Sequence, residues 1–89
     1  MGSATNTTQG IDHVPQYHYT AVFEPAAEGG FIVTVPALPG LVTEGDTIEE
    51  ARAMVKDAIR GYLETLVKHG EEIPIEPSPA SVERVAVNI

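Results

Sequence analysis

Carboxylates are the residues of this chain with the most chemistry in them. Glu24, Glu44, Asp46, Glu49 and Glu50 fall beside turns and at the start of a helical pattern, and oxygen donors gathered this way could hold Mg²⁺. The same positions have a simpler use. Acids in the first turn of a helix are stabilised by its dipole, and Glu50 suits a capping role. Acids at strand ends discourage unwanted edge pairing. The simpler account is preferred, so no metal ligand is assigned. The histidines, His13, His18 and His69, share no ligand spacing such as i and i+4 on a helix. The serines lie in the N-terminal stretch and in a proline-rich segment, away from any base that could activate them, and Thr47 is accounted for as a helix cap. The chain has no Cys, which excludes disulfides, thiolate nucleophiles and cysteine zinc sites. No GxGxxG or GxxxxGK[ST] run links a strand to a helix, so no phosphate loop is present. Catalytic residues, cofactor and metal are therefore all predicted to be none.

Charge points instead to a binding role. Thirteen Asp and Glu oppose five Lys and Arg, for a net charge of −8. Direct nucleic-acid binding needs a cationic footprint on the phosphates, so it is not expected; the acidity suits a basic protein partner or simply solubility, which is the commoner reason for acidity taken alone. The acidity is not spread evenly. Residues 48–69 hold four acids and four Lys or Arg, whereas nine acids and Arg84 alone lie outside them. Connections and strand ends are thus the acidic surface. Glu24, Glu28, Glu44 and Asp46, with the loop residues Pro39, Gly40 and Leu41, are the predicted contact set. Pro39 and Gly40 fix the loop path, which lowers the ordering cost of binding.

The elements that must position these residues follow from the patterning. Residues 1–16 are small and polar and read as a flexible tail before one domain, 17–89. Tyr17–Glu24 alternates, with Tyr17, Tyr19, Ala21 and Phe23 on one face, and Pro25 ends it. Gly29 and Gly30 suit a turn into a β-branched run, Gly30–Val35, giving an antiparallel hairpin. Pro36 and Pro39 remove two backbone donors, so their segment is a connection, followed by a short strand at Leu41–Glu44. Thr47 and Glu50 have capping-box spacing, with Glu50 expected to reach back to Thr47. The helix runs from about Ile48 to His69, and Gly70 stops it. Ile48, Ala51, Val55, Ala58, Ile59, Tyr62, Leu63 and Leu66 form its apolar stripe; Glu49, Arg52, Lys56, Arg60, Glu64 and Lys68 form its solvent ridge. Gly61 inside the helix is read as a close approach of the sheet. After the prolines at 74, 77 and 79, Val82–Ile89 alternates again and is predicted as a fourth strand returning to the sheet. The expected fold is α+β, a β-β-β-α-β layer with one long helix on one face of a single sheet.

A chain of 89 residues buries a modest core, and the apolar strand at 82–89 offers an edge. A homo-oligomer, specifically a dimer, is predicted. No apolar run reaches the length of a membrane span, and residues 1–9 lack the basic and apolar regions of a signal peptide, so no membrane association and a cytoplasmic location are predicted.

An ordered series of short motifs adds to this reading. Tyr19–Pro25 (YTAVFEP), Gly29–Pro36 (GGFIVTVP), Leu38-Pro39-Gly40, Thr43–Thr47 (TEGDT) and Glu49-Glu50-Ala51 together resemble the HicB antitoxin domain. The resemblance covers residues 17–74. It implies a partial RNase H-like fold without the nuclease carboxylates. It also implies an antitoxin that neutralises a small basic RNA-cleaving toxin of the HicA type by covering its RNA-binding face. Two departures stand out. Leu41 follows the Pro-Gly pair where many relatives carry a small residue or Cys, and too few residues follow the proline-rich segment for a C-terminal helix-turn-helix. The chain is therefore expected to be a short form without operator binding. The competing readings are a stand-alone homo-oligomeric module with no toxin partner and an RNase H-like metal-dependent enzyme, the last disfavoured by the carboxylate analysis.

Overall fold

The computed structural model of the protein describes residues 16–89. The segment read as an N-terminal tail lies outside them, apart from Gln16. Three strands form one antiparallel sheet in the order β1-β2-β3: β1, Val22–Pro25; β2, Phe31–Thr34; and β3, Val42–Gly45. One helix, α1, follows at Ile48–Lys68. The α+β arrangement of a single sheet and a long helix is the expected one.

Register explains the two faces. Phe23 pairs with Val33, and Val33 with Thr43; Pro25 pairs with Phe31, and Phe31 with Gly45. Side chains alternate along a strand, so these rows face α1. Val33 on this face is fully buried, while Phe23 and Phe31 pack around the same core. The remaining rows, Val22–Thr34–Val42 and Glu24–Ile32–Glu44, lie on the face without a helix. The core itself is Val33, Val35, Leu38, Leu41, Ala51 and Val55. Ala58, Ile59, Tyr62 and Leu63 extend it along the helix as the predicted stripe, while the charged ridge is exposed.

The connections are short and set by backbone chemistry. The β1–β2 turn closes through Ala26 N–H to the Gly30 carbonyl at 2.9 Å and Gly29 N–H to the Ala26 carbonyl at 3.0 Å. Gly30 has φ +77°, and a Cβ there would lie 2.7 Å from the Gly45 carbonyl oxygen. Only glycine satisfies both conditions. Between β2 and β3, the prolines prevent pairing, and the chain folds inward. Leu38 N–H bonds to the Val35 carbonyl at 2.9 Å, and the Leu38 side chain is fully buried.

The helix starts as predicted at Thr47, whose hydroxyl accepts from the Glu50 amide at 3.0 Å. The reciprocal bond differs by one residue: the Glu50 carboxylate accepts from the Asp46 amide at 2.5 Å in place of the Thr47 amide. At the other end, Glu71 N–H reaches the Leu66 carbonyl and Gly70 N–H the Val67 carbonyl, with Gly70 at φ +70°. This Schellman pattern stops the helix where the sequence predicts.

Three expectations are corrected. The alternating run at residues 17–24 enters the sheet ladder only from Val22, although Tyr19 and Ala21 do point into the core with Phe23. The close approach of helix and sheet is at Gly45, where a Cβ would meet the Ala51 amide nitrogen at 2.5 Å and its Cα at 2.7 Å; at Gly61 a Cβ would meet nothing within 4 Å. Finally, Val82–Ile89 forms no strand, and every residue from Pro77 onward is exposed. Its physical reason lies in the preceding segment, which is fastened beside the start of β1. Tyr19 Oη donates to the Pro74 carbonyl at 2.5 Å. Thr20 N–H donates to Glu76 Oε1 at 2.9 Å, the Thr20 hydroxyl donates to Glu76 Oε2, and that hydroxyl accepts from the Ala80 amide at 3.2 Å. This clamp takes up the approach to β1, and Pro25 at the far end of that strand has no N–H to offer a further one.

The Thr20 hydroxyl, then the Thr20 amide, hold the Glu76 carboxyl below its ordinary pKa, and burial raises the Tyr19 phenol. A lowered folded pKa means that the stabilising contribution is present above the ordinary carboxylate range and is lost as pH falls through the depressed value. Thr20→Val should therefore move the Glu76 titration back toward an ordinary glutamate, read by NMR; an unchanged midpoint would break the assignment of the clamp. The two helix-side glycines should respond in opposite directions to alanine. Gly45→Ala should destabilise by about 1–3 kcal/mol through overpacking against Ala51. Gly61→Ala should stabilise by up to about 1 kcal/mol through helix propensity. Urea unfolding of the two variants checks both signs.

Candidate partner-binding surface

The predicted contact residues fall into two groups at opposite ends of the sheet. Pro25, Phe31 and Gly45 are paired at one end, so the β1–β2 turn with Glu28 and the helix start with Asp46 meet there. Glu24 and Glu44 project from the same end on the helix-free face, one on each side of Ile32 in a single cross-strand row. Two inter-strand spacings put their backbones about 10 Å apart. All four acids are exposed. Among the described residues the ion pair is Arg60 with Asp57, at 3.6 Å and on the helix. The carboxylates of Glu24, Glu28, Glu44 and Asp46 therefore have no cation on them.

Beside this end lies a small cleft of about 230 Å³ lined by Gly29, Phe31, Glu44, Gly45, Asp46, Glu50 and Met54. It joins carboxylates to an apolar wall of Phe31 and Met54. Long basic side chains have the same two-part character, an aliphatic stem and a charged head. Among the described residues, no three His, Asp or Glu come together in a way that could hold a metal ion.

Pro39 and Gly40 sit at the other end and are exposed. The Pro39 carbonyl accepts from Tyr62 Oη at 3.0 Å, so the loop is tied to the helix. Leu41, predicted with them, is buried in the core, and its side chain serves packing.

The sequence reading passed over a second surface. An open groove of about 700 Å³ runs along α1, with Tyr17, Ile59, Leu63, Val67 and Ile73 on its floor and Lys56, Arg60 and Lys68 on its rim. The available signal was Val67, which continues the i, i+4 series of Ile59 and Leu63 beyond the assigned stripe. No helix of the described residues is long and apolar enough to cross a membrane.

Comparison with known proteins assigns the chain to a family. Residues 19–88 match the family model of the HicB-like antitoxins of bacterial toxin–antitoxin systems. A UPF0150 protein of Thermoplasma acidophilum is 48% identical over 56 residues, covering 63% of this chain and 81% of that protein. Antitoxin HicB 1 of Photorhabdus laumondii is 36% identical over 74 residues, 83% of this chain and 47% of its own length. Antitoxin HicB of Escherichia coli K12 is 36% identical over 61 residues, 68% of this chain and 44% of its own length. The match thus spans about half the length of the relatives named as antitoxins and most of the UPF0150 protein. With the family model covering the sheet, the helix and the clamp, the chain belongs to the HicB-like antitoxin family.

Proposed function

We propose that this protein is a non-enzymatic antitoxin that neutralises a small basic RNA-cleaving toxin of the HicA type by covering its RNA-binding face. The observation that carries the proposal is the Glu24–Ile32–Glu44 row on the open face of the sheet, two exposed carboxylates without cations around a half-exposed isoleucine. A protein surface built to hold RNA phosphates presents Lys and Arg, and these fit acids spaced across an apolar centre. Glu28 and Asp46 extend the acidic end. The open face is only about 13 Å along the strands and about 10 Å across them, far less area than the roughly 800 Å² that each partner contributes to a standard interface. A partner seated on the open face therefore reaches the Pro39–Gly40 loop as well. The same acidity disfavours direct binding to nucleic acid. An antitoxin of this kind works where the toxin meets RNA, in the cytoplasm, and needs no cofactor.

Glu44 and Asp46 are exposed, so their contribution is expected at the rim, in long-range attraction. Reversing both to Lys should leave the circular dichroism unchanged and slow association with the cognate toxin by roughly tenfold at low salt, with a flatter salt dependence. Stopped-flow association with the small basic toxin, paired with an RNA-cleavage inhibition assay, reads this directly. A folded double variant that associates at the original rate and inhibits equally well would move the interface away from this face.

A further inference from the structure

The groove along the C-terminal half of α1 has an apolar floor that the fold leaves open. Ile59, Leu63 and Ile73 in it are half-buried, and Val67 is 63% exposed. The floor does not stop with the helix. Tyr17, Val67 and Ile73 are shared with an adjoining hollow that reaches Ile75, which is 73% exposed. Apolar surface that is contiguous, rather than scattered, marks a contact surface.

The rim decides what covers it. Three of the chain's five Lys and Arg, namely Lys56, Arg60 and Lys68, stand there, all exposed. Among the described residues Lys56 and Lys68 have no ion pair, and Arg60 has only the exposed Asp57 at 3.6 Å. Like charges four apart on a helix, as at Lys56 and Arg60, are mildly unfavourable in an isolated chain. A chain of net charge −8 thus gathers most of its cations beside exposed aliphatic groups. That combination suits an anionic partner with an apolar body, the reverse of the basic partner proposed for the sheet.

The spread of the cations selects the class of partner. From Lys56 to Lys68 the helix rises about 18 Å. A small amphipathic ion carries one charged head and needs its cations at one end. Here they run along the whole groove, beside floor residues Ile59, Leu63 and Val67 that recur every fourth position. Such a row matches a segment whose own acids and apolar residues recur at helical spacing. Glu64 interrupts the rim between Arg60 and Lys68, so a neutral or basic residue belongs opposite it. Glu71 and Glu72 line the hollow beyond the helix end, which sets the most acidic part of the partner over Lys56 and Arg60.

We propose that the α1 groove is a docking site for an acidic amphipathic helix of another protein, with its apolar stripe on Ile59, Leu63 and Val67 and its acids on Lys56, Arg60 and Lys68. The site lies in the helix layer, across the sheet from Glu24, Ile32 and Glu44, and leaves that face free. It rests on the groove and its charges and is independent of the toxin reading.

The probe is a synthetic fluorescein-labelled peptide of about 16 residues, long enough to form a helix, with leucines at i, i+4 and i+8 and glutamates on both flanks. In anisotropy titrations of the full chain at about 0.15 M salt it should bind. Replacing its glutamates by glutamine, or its leucines by serine, should weaken binding about tenfold or more. Lys56→Glu combined with Arg60→Glu should do the same, as should Val67→Asp, with unchanged circular dichroism. Arg52→Glu combined with Arg84→Glu makes an equal charge change outside the groove and should leave the affinity within about twofold. No binding by the full chain, or an equal loss in this matched pair, would overturn the proposal. Binding that appears only once residues 1–15 are removed would give the groove to the chain's own N-terminal segment instead. An oligomer that Val67→Asp converts to monomer in sedimentation would give it to a second copy, and either result would also overturn the proposal.

Discussion

The junction of β3 with α1 fixes the rest of the fold. Gly45 ends the strand and Thr47 caps the helix, so Asp46 alone separates the end of the ladder from the cap. The absence of a Cβ at Gly45 lets the Ala51 backbone close to within contact of the strand. Ala51, itself fully buried, and Val55 one turn later then lie over Val33 and its neighbours. The Gly30 turn presses on the carbonyl of the same Gly45. Three elements thus meet at one residue, and the lack of a side chain there decides how closely they pack. A core with six buried side chains leaves little to compensate for a misplaced helix.

The same junction orients the acids. Because Gly45 pairs with Phe31 on the helix side, Glu44 must point to the open side, opposite Ile32 and in line with Glu24. Asp46 leaves the sheet as the chain turns, with its amide held by Glu50 and its carboxylate in solvent. Helix capping and surface charge are therefore two consequences of one turn. Glu50, which sequence reasoning grouped with possible metal ligands, is engaged by the backbone.

Much of this was legible in the sequence. Period-two alternation placed Tyr19, Ala21 and Phe23 on one face, which the structure turns to the core, and helical spacing identified the buried stripe from Ala51 to Leu63. Thr47 and Gly70 marked the helix ends because their roles are local, confined to hydrogen bonds a few residues away. What could not be read depended on contacts distant in sequence. Gly45 and Gly61 look alike in a string of letters, yet only the first faces another backbone. Leu41 follows an exposed Pro-Gly pair but turns inward, since the loop path depends on Leu38 being buried. The Thr20–Glu76 clamp joins residues 56 positions apart and has no local signature. Val82–Ile89 has the pattern of a strand, but pattern states only what a segment can pair with, and a partner edge must also be within reach.

The distribution of charge finally separates a general explanation from a specific one. Acidity that served solubility alone would be satisfied by carboxylates anywhere on the surface. Here α1 as a whole is balanced, four acids against four Lys or Arg, and its Arg60 pairs with Asp57, while Glu24 and Glu44 stand on a sheet face that also exposes Ile32 and Val42. Exposed aliphatic groups oppose solubility. Their placement among carboxylates without cations is unfavourable for an isolated chain but suits a face that is covered by a cationic partner. On the proposed reading, desolvating Ile32 and Val42 would supply affinity, and Glu24 and Glu44 would select which proteins approach.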